Sequence, residues 1–330
     1  MARRPTGEKL ADALSEAARL LYEWTDAARL KACDARGIDP RQSYAWAPLD
    51  GSVAHSDHAE TEPGIAKFCA GTKLTASYWL DTNPIRNPTT WAIDYLTRCF
   101  HTVIDDLAGI ADLVKQSERL RAPITLSRSV MEAGATGCFI ADTTVDTHER
   151  LRRSLNLHLA EVKEASNERR GTPDRDPLEI ELQELMSFAQ DSGFALDRYR
   201  PNDILPPRIR PDSGRHDSAS SIIDRVLPGI GTTMWRSMSA VAHARDSQFL
   251  IPDAYGLPHE LKPWQRVESV AWHTLPSVLV VRELGQHLER YLGWSFEPFS
   301  SLWDAVAMHW SRAAGLDDKR IRAELGLDPV

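Results

Sequence analysis

Apolar residues recur every three or four positions along most of this chain, which is the period of an amphipathic helix. In the first such run, 8–34, Leu10 and Leu14 share one helix face, and Gly37 and Pro40 then end the run. Strands alternating with helices are missing, which argues against Rossmann and barrel folds. The pattern therefore predicts an all-α, multi-helix bundle. Further helices are predicted over 63–80, 89–117, 123–145, 147–167, 178–190, 218–226, 229–245, 263–291, 299–314 and 317–325.

The predicted helices fall into three parts. Residues 1–62 hold the N-terminal helix and a polar loop that we expect to pack on the core, residues 63–292 form the helical core, and residues 293–330 form a C-terminal helical pair. Within the core, Gly134 and Gly137 belong to a stretch of small residues that would let a neighbouring helix approach closely.

Composition narrows the class of protein without identifying a function. Of the 330 residues, 42% are hydrophobic and 26% are charged, as in ordinary globular proteins. The net charge of −8 gives no global electrostatic case for nucleic acid, although a local basic face is still open. The N-terminus has no uninterrupted apolar signal core, and the longest strongly apolar run, 275–281, is far too short to span a bilayer. We expect a cytoplasmic protein without membrane contact.

The sequence predicts neither a metal nor a cofactor. No two cysteines have CxxC spacing, so we expect reduced, mostly buried thiols. The loop HSDHAE, 55–60, contains ligand-type residues but has no third spaced ligand elsewhere. Neither a Walker-type loop nor a GxGxxG motif is present. The cysteines are Cys33, Cys69, Cys99 and Cys138.

The predicted helix 147–167 carries charges of both signs. Its arginines, Arg150, Arg152 and Arg153, are offset by glutamates that include Glu149. Mixed signs of this kind are typical of a solvated helix. We therefore expect these arginines to face water.

The stretch 194–217 is the least regular part of the chain. Its four prolines preclude a continuous helix. One interpretation is a loop that contacts phosphate or covers a substrate, because long irregular loops in compact domains tend to be functional or disordered. The other is a solvated linker. Five arginines would make the phosphate contacts: Arg198, Arg200, Arg208, Arg210 and Arg215.

The predicted helix 229–245 carries the nearest approach to a functional motif, Arg236, Ser239 and His243. Seven residues turn a helix through roughly 700°, so Arg236 and His243 lie within about 20° of the same face. Ser239, four residues before His243, lies on that face too. A guanidinium beside an imidazole suits phosphate chemistry, in which arginine steadies the anion and histidine moves a proton. Alternatively, the three side chains are satisfied inside the bundle, with Arg236 paired to a buried carboxylate.

A second polar pair, Arg128 and Glu132, lies amid apolar residues of the predicted helix 123–145. Their i, i+4 spacing places both side chains on one helix face. We expect a partly buried ion pair there. This pair is also where a structural partner for Arg236 or His243 could come from.

The R-x-x-x-E helix of Arg128 and the R-x-x-S-x-x-x-H helix of Arg236 together resemble the DUF5677 family of bacterial helical proteins. Such proteins look related to the HEPN superfamily of helical-bundle domains, over roughly 65–290 of this chain. Many HEPN proteins carry an arginine, four to six residues and then a histidine, and six residues separate the two here. The commonest HEPN form has Asn or His directly after the arginine, where this chain has Ser237. The resemblance implies a HEPN-like core with extra N- and C-terminal helices.

Three functions are consistent with these residues. The first is a non-catalytic helical module that binds RNA or a protein, with Arg236, Ser239 and His243 in an internal polar network. The second, implied by the resemblance, is a metal-independent endoribonuclease of toxin or phage-defence type. There Arg236 holds the scissile phosphate and His243 acts as general acid or base, generally at a site completed across a homodimer. The third is an enzyme acting on a small molecule in a helical cavity lined by tryptophans.

Overall fold

The fold is an all-α bundle, as the hydrophobic pattern predicts. A computed structural model describes residues 8–19, 23, 88–115, 121–145, 147–197, 208–209, 217–243, 263–292 and 299–316. These residues form nine helices: α1 (8–19), α2 (Pro88–Lys115), α3 (Arg121–Ile140), α4 (Thr147–Glu168), α5 (Arg175–Asp191), α6 (Ala219–Val226), α7 (Gly231–Ala242), α8 (Pro263–Leu292) and α9 (Phe299–Ala313). Two strands of two residues each, β1 (Leu196–Asp197) and β2 (Arg208–Ile209), pair antiparallel between α5 and α6.

Helix α3 lies at the centre of the bundle and contacts α2, α4, α6, α7 and α8. Its two glycines allow the close approach to α8 that the sequence predicts. A Cβ atom on Gly134 would lie 2.8 Å from Cγ1 of Val280, and one on Gly137 would lie 2.7 Å from Cδ1 of Leu284. Both distances are shorter than two carbon atoms tolerate without movement. Because the contacts advance in the same direction along both helices, α3 and α8 run parallel.

The buried apolar residues form two clusters. The larger one contains residues of α1, α2, α3, α6, α7, α8 and α9. Leu10 and Leu14 of α1 are fully buried in it. The smaller one lies between α4 and α5, where Leu155 and Leu159 pack against Leu185. The described helices between 88 and 292 therefore contribute to both clusters, and α1 and α9 belong to the larger one.

Two tryptophans of α9 dock this helix on α8. Trp303 and Trp310 are fully buried, and each indole N–H finds an acceptor on α8. Nε1 of Trp303 donates to the carbonyl oxygen of Val278 at 2.7 Å, and Nε1 of Trp310 donates to Oγ1 of Thr274 at 2.7 Å. These bonds lie on both sides of Pro276, the residue that cannot donate a backbone hydrogen bond within α8.

Two helix bounds differ from the sequence prediction for local reasons. Helix α3 ends at Ile140 rather than near 145, because the side chain of Asp142 accepts hydrogen bonds from the backbone N–H and the hydroxyl of Thr144 and so forms a turn. Helix α5 begins at Arg175, earlier than predicted, since Pro177 occupies its first turn, where a missing N–H costs nothing.

The cysteine prediction is confirmed where the structure describes it. Cys99 and Cys138 are buried free thiols, and burial raises the pKa of Cys99 to about 12. Cys33 and Cys69 lie outside the described residues, as do the predicted helices 63–80 and 317–325. Among the described helices, none has the length and apolar character needed to cross a membrane.

Candidate functional site

The orientation of α7 is set by its contacts with α6 and α3. Gly231, Met238 and Val241 are its buried residues. A Cβ atom on Gly231 would lie 2.8 Å from the backbone carbonyl oxygen of Ile223 in α6, so only glycine allows the two helices to meet there. Gly229, with a φ of 80°, makes the turn that leads into α7. One face of α7 is thereby committed to the bundle.

The opposite side of α7 places Arg236 and His243 in solvent. Both residues are exposed, and His243 is the C-cap of the helix, where its backbone N–H donates to the carbonyl oxygen of Ser239 at 3.0 Å. Within the described part of the chain, neither side chain takes part in a hydrogen bond or an ion pair. Their separation along the helix axis is about 10 Å, from seven residues of rise. We call this surface, defined by Arg236 and His243, the α7 face.

Ser239, the third residue of the predicted motif, is bound to its own helix. Its hydroxyl donates to the backbone carbonyl oxygen of Trp235 at 2.8 Å, and the residue is half-buried. The hydroxyl proton is therefore committed to the helix backbone. Of the internal network considered for the motif, the structure shows only this local bond.

The predicted ion pair of Arg128 and Glu132 is confirmed. Nη2 of Arg128 lies 2.9 Å from Oε1 of Glu132, and Nε donates to the same oxygen at 3.0 Å. The partner that Glu132 finds on α7 is Trp235 rather than Arg236 or His243, since the indole Nε1 donates to Oε1 at 2.6 Å. The guanidinium of Arg128 also lies over the indole ring, 5.3 Å from its centroid. We call Arg128, Glu132 and Trp235 the α3–α7 triad.

The five arginines predicted to contact phosphate fall almost entirely outside the described residues. The backbone of Arg208 pairs with Asp197 in the short strand ladder. The side chain of Arg208 lies outside the described part, together with Arg198, Arg200, Arg210 and Arg215. Their assignment as phosphate contacts stays a prediction.

The arginines of α4 contradict the expectation that they face water. Arg152 and Arg153 are only 2% and 4% exposed. Glu149 binds both, with Oε2 2.6 Å from Nε of Arg152 and Oε1 2.9 Å from Nε of Arg153. Nη1 of Arg152 lies 2.9 Å from Oδ2 of Asp217, and Nη1 of Arg153 lies 3.1 Å from Oδ2 of Asp142. These five residues, the α4 charge cluster, tie α4 to the end of α3 and the start of α6.

Two carboxylates of the α4 charge cluster, Glu149 and Asp142, have pKa values below their usual range. Burial alone would raise the pKa of Glu149, but hydrogen bonds and charge from Arg152 and Arg153 outweigh it and leave the pKa below its usual value. The pKa of Asp142 is lowered in the same way, with burial opposed by hydrogen bonds from Thr144 and by Arg153. The cluster is therefore a set of compensated buried charges, which leaves little capacity for an external anion.

A signal for the buried arginines was present in the sequence. Arg152 precedes Leu155 by three residues and Leu159 by seven, so helical periodicity places it on the apolar face of α4. The overall mixture of charges on the helix does not reveal that Arg152 lies on the apolar face, because the same helix also carries exposed glutamates such as Glu161 and Glu164. The position of a residue on the helix face predicts its burial here better than the mixture of positive and negative charges along the helix does.

Metal-ligating residues do not gather within the described part of the chain, where no group of three or more His, Cys, Asp or Glu side chains could hold an ion. The loop 55–60 lies outside that part. Asp105 and Asp112 of α2 are exposed, whereas Asp106 is half-buried and burial raises its pKa, so a fully solvated face is not what the three aspartates of this helix form. His273 is a buried histidine of α8, and burial lowers its pKa although its Nδ1 lies 2.7 Å from the carbonyl oxygen of Ser269.

Comparisons with known proteins give no information about the function of this chain. No family model matches this chain, and searches of curated proteins and of solved structures find no similar protein. The resemblance to HEPN proteins accordingly rests on the two short motifs around Arg128 and Arg236.

Proposed function

We propose that this chain is a non-catalytic helical module that binds RNA through the α7 face. The observation that carries the proposal is the exposure of Arg236 and His243 on one side of α7, without partners in the described part of the chain. A guanidinium without an internal carboxylate keeps all its donors for an external anion, and phosphate is, with carboxylate, an anion whose geometry it matches. This proposal differs from the alternative in which Arg236, Ser239 and His243 bond to other groups inside the bundle.

The surroundings of the α7 face support a rigid binding surface. The neighbouring residue Trp235 is fixed to α3 by Glu132, so Arg236 extends from an anchored helix rather than from a loop. The neutral residues Thr233 and Ala240 flank Arg236 at helical spacing, while Thr232, one turn before Arg236, contacts the carboxylate of Asp224 at 3.4 Å. The exposed guanidinium of Arg236 is the local positive charge that a phosphate backbone would contact, although the whole chain has a net charge of −8.

Metal-independent cleavage of RNA is the second candidate, favoured by the accessibility of both an arginine and a histidine on the same face. In that reaction the ribose 2′-OH would attack the adjacent phosphorus while His243 removes its proton. The bond to the 5′ oxygen of the next nucleotide would break and that oxygen would take a proton from water, leaving a cyclic phosphate and a 5′-OH. Arg236 would stabilise the negative charge that develops on the phosphate. Ser239 would take no direct part, because its hydroxyl donates to Trp235.

The remaining assignments belong to this proposal as well. A cytoplasmic location provides access to RNA, and the HEPN resemblance implies that a homodimer would bring two α7 faces together. Within the described part of the chain, no observation favours a small-molecule enzyme, since the buried indoles of Trp303 and Trp310 donate to α8 rather than into a cavity. A protein partner on the α7 face would be revealed by failure of the RNA experiment.

The proposal is tested by binding of fluorescein-labelled tRNA and single-stranded RNA in EDTA, followed by fluorescence anisotropy at several salt concentrations. We expect Arg236→Ala to weaken binding about tenfold and to lower the slope of log Kd against log salt by about one, as the loss of one phosphate contact requires. His243→Ala should weaken binding less. Arg290→Ala, which removes an exposed arginine of α8, is the matched control and should bind like the wild type.

The outcomes separate the candidates. Wild-type protein that binds no RNA, or an Arg236→Ala variant that binds with unchanged affinity and salt slope, would contradict the proposal. Cleavage of RNA into products with a 5′-OH, lost in both Arg236→Ala and His243→Ala while circular dichroism shows both folded, would decide for the ribonuclease.

A further inference from the structure

We propose that Trp235 is a positioning residue, which Glu132 holds so that the α7 face presents Arg236 and His243 together. The inference rests on the proposed function for its ligand, and on the α3–α7 triad for its geometry. It assigns a role to an indole that lies beside the motif and touches none of its charged groups.

The need for such a device follows from how α7 is packed. The helix has 12 residues, and its buried residues are a glycine, a methionine and a valine. The close approach of Gly231 to Ile223 and the hydroxyl bond from Thr232 to the carbonyl oxygen of Ser220 fix the first turn of α7 on α6. Beyond that turn the buried residues are only Met238 and Val241, whose apolar contacts have no preferred direction. A rotation by one residue position, 100°, would exchange the exposed and the half-buried positions. Something directional has to define where Arg236 points.

The bond between Trp235 and Glu132 supplies this direction. The indole Nε1 lies 2.6 Å from Oε1 of Glu132, a short bond to a charged acceptor. Glu132 is itself held by Arg128, whose Nε and Nη2 lie 3.0 and 2.9 Å from the same oxygen. Because Trp235 directly precedes Arg236 in the helix, fixing the indole fixes the rotation of α7 and therefore the side of the helix from which Arg236 extends.

The first test is a double-mutant cycle read by RNA affinity. Trp235→Phe keeps an aromatic ring but removes the N–H, and we expect it to weaken RNA binding about tenfold. Glu132→Ala should have a similar effect, whereas Glu132→Gln keeps an acceptor oxygen and should retain most of the affinity. In a background that carries both Arg236→Ala and His243→Ala, Trp235→Phe should cause no further loss, because a positioning residue acts through the side chains it positions. Additive losses would overturn the proposal.

The second test needs no RNA. Met238 of α7 and Met131 of α3 are both fully buried, and hydrogen peroxide oxidises methionine in proportion to its exposure. Mass spectrometry should show Met238 oxidised several times faster in Trp235→Phe and Glu132→Ala, with Met131 as protected as in the wild type. Equal protection of Met238 in all variants would overturn the positioning role. If Met238 becomes exposed while Arg236→Ala binds RNA normally, the RNA proposal fails and the role of Trp235 in placing α7 stands.

Discussion

The α7 face and the α4 charge cluster place the same side chain in opposite environments. Arg236 is exposed and has no partner in the described part of the chain, whereas Arg152 and Arg153 are 2% and 4% exposed and bound to carboxylates. A guanidinium is tolerated in the interior only where it is paired and hydrogen-bonded. Its charge is then compensated internally. An arginine is a candidate for ligand binding only if the fold leaves it free, so the α7 face is the better candidate site.

The comparison of the two regions also shows that one interpretation of the sequence, the solvation of the α4 arginines, was wrong. Mixed charges on α4 predicted a solvated helix, while Arg236 was given a buried carboxylate as one alternative. The structure instead gives the buried carboxylate, Glu149, to Arg152 and Arg153. The partners of a charged residue depend on which helices pack against each other. The charges along one helix do not predict this packing.

The largest expected effect on stability comes from a substitution in the α4 charge cluster. Glu149→Ala would leave Arg152 with one carboxylate, Asp217, and Arg153 with one, Asp142, in buried surroundings. We expect the free energy of unfolding to fall by about 3–5 kcal/mol, the usual cost of breaking a buried ion pair. Urea denaturation measures it. Glu164→Ala, an exposed glutamate on the same helix, is the control and should change stability little. A loss below about 1 kcal/mol for Glu149→Ala would show that the cluster is solvated after all.

Acid should weaken the same cluster in a defined direction. Because the pKa of Glu149 is lowered in the folded state, the unfolded chain takes up the proton first, so the stabilisation is complete above pH 4.5 and is lost as the pH falls through the folded pKa. Protonation keeps the side chain and its hydrogen-bonding oxygens in place, so we expect a smaller loss of stability than from deletion of the side chain. Unfolding free energies from urea titrations between pH 7 and pH 3 should decline less steeply in Glu149→Gln. Identical slopes would contradict the assignment.

The smallest effect on stability is expected on the α7 face. Arg236→Ala and His243→Ala remove exposed side chains, so each should leave the unfolding free energy within about 0.5 kcal/mol of the wild type. The same urea experiment measures this, with Thr233→Ala on α7 as the reference for removing an exposed side chain. A loss of 2 kcal/mol or more, a size that is typical of buried partners, would mean that Arg236 serves the fold and would remove the contrast with Arg152.

Much of the helical architecture could be predicted, and the reason is local. Helix α4 begins at Thr147 and α8 at Pro263, as the periodicity and the proline predict. The Arg128–Glu132 pair could be predicted because four residues of one helix suffice to bring the two side chains together. The bond from Trp235 to Glu132 joins residues 103 positions apart, and no pattern within either helix predicts it.

The sequence by itself determined the helix positions, the core-facing residues and the placement of Arg236 and His243 on one side of α7, since the helical period fixes all three. Only the tertiary structure decided which arginines are available. Packing of α7 against α6 at Gly231 turns Arg236 outward, and the meeting of α4 with α3 and α6 encloses Arg152 and Arg153 between carboxylates. Burial is a property of the assembled helices, because the cost of desolvating a charge depends on neighbours that are distant in the chain.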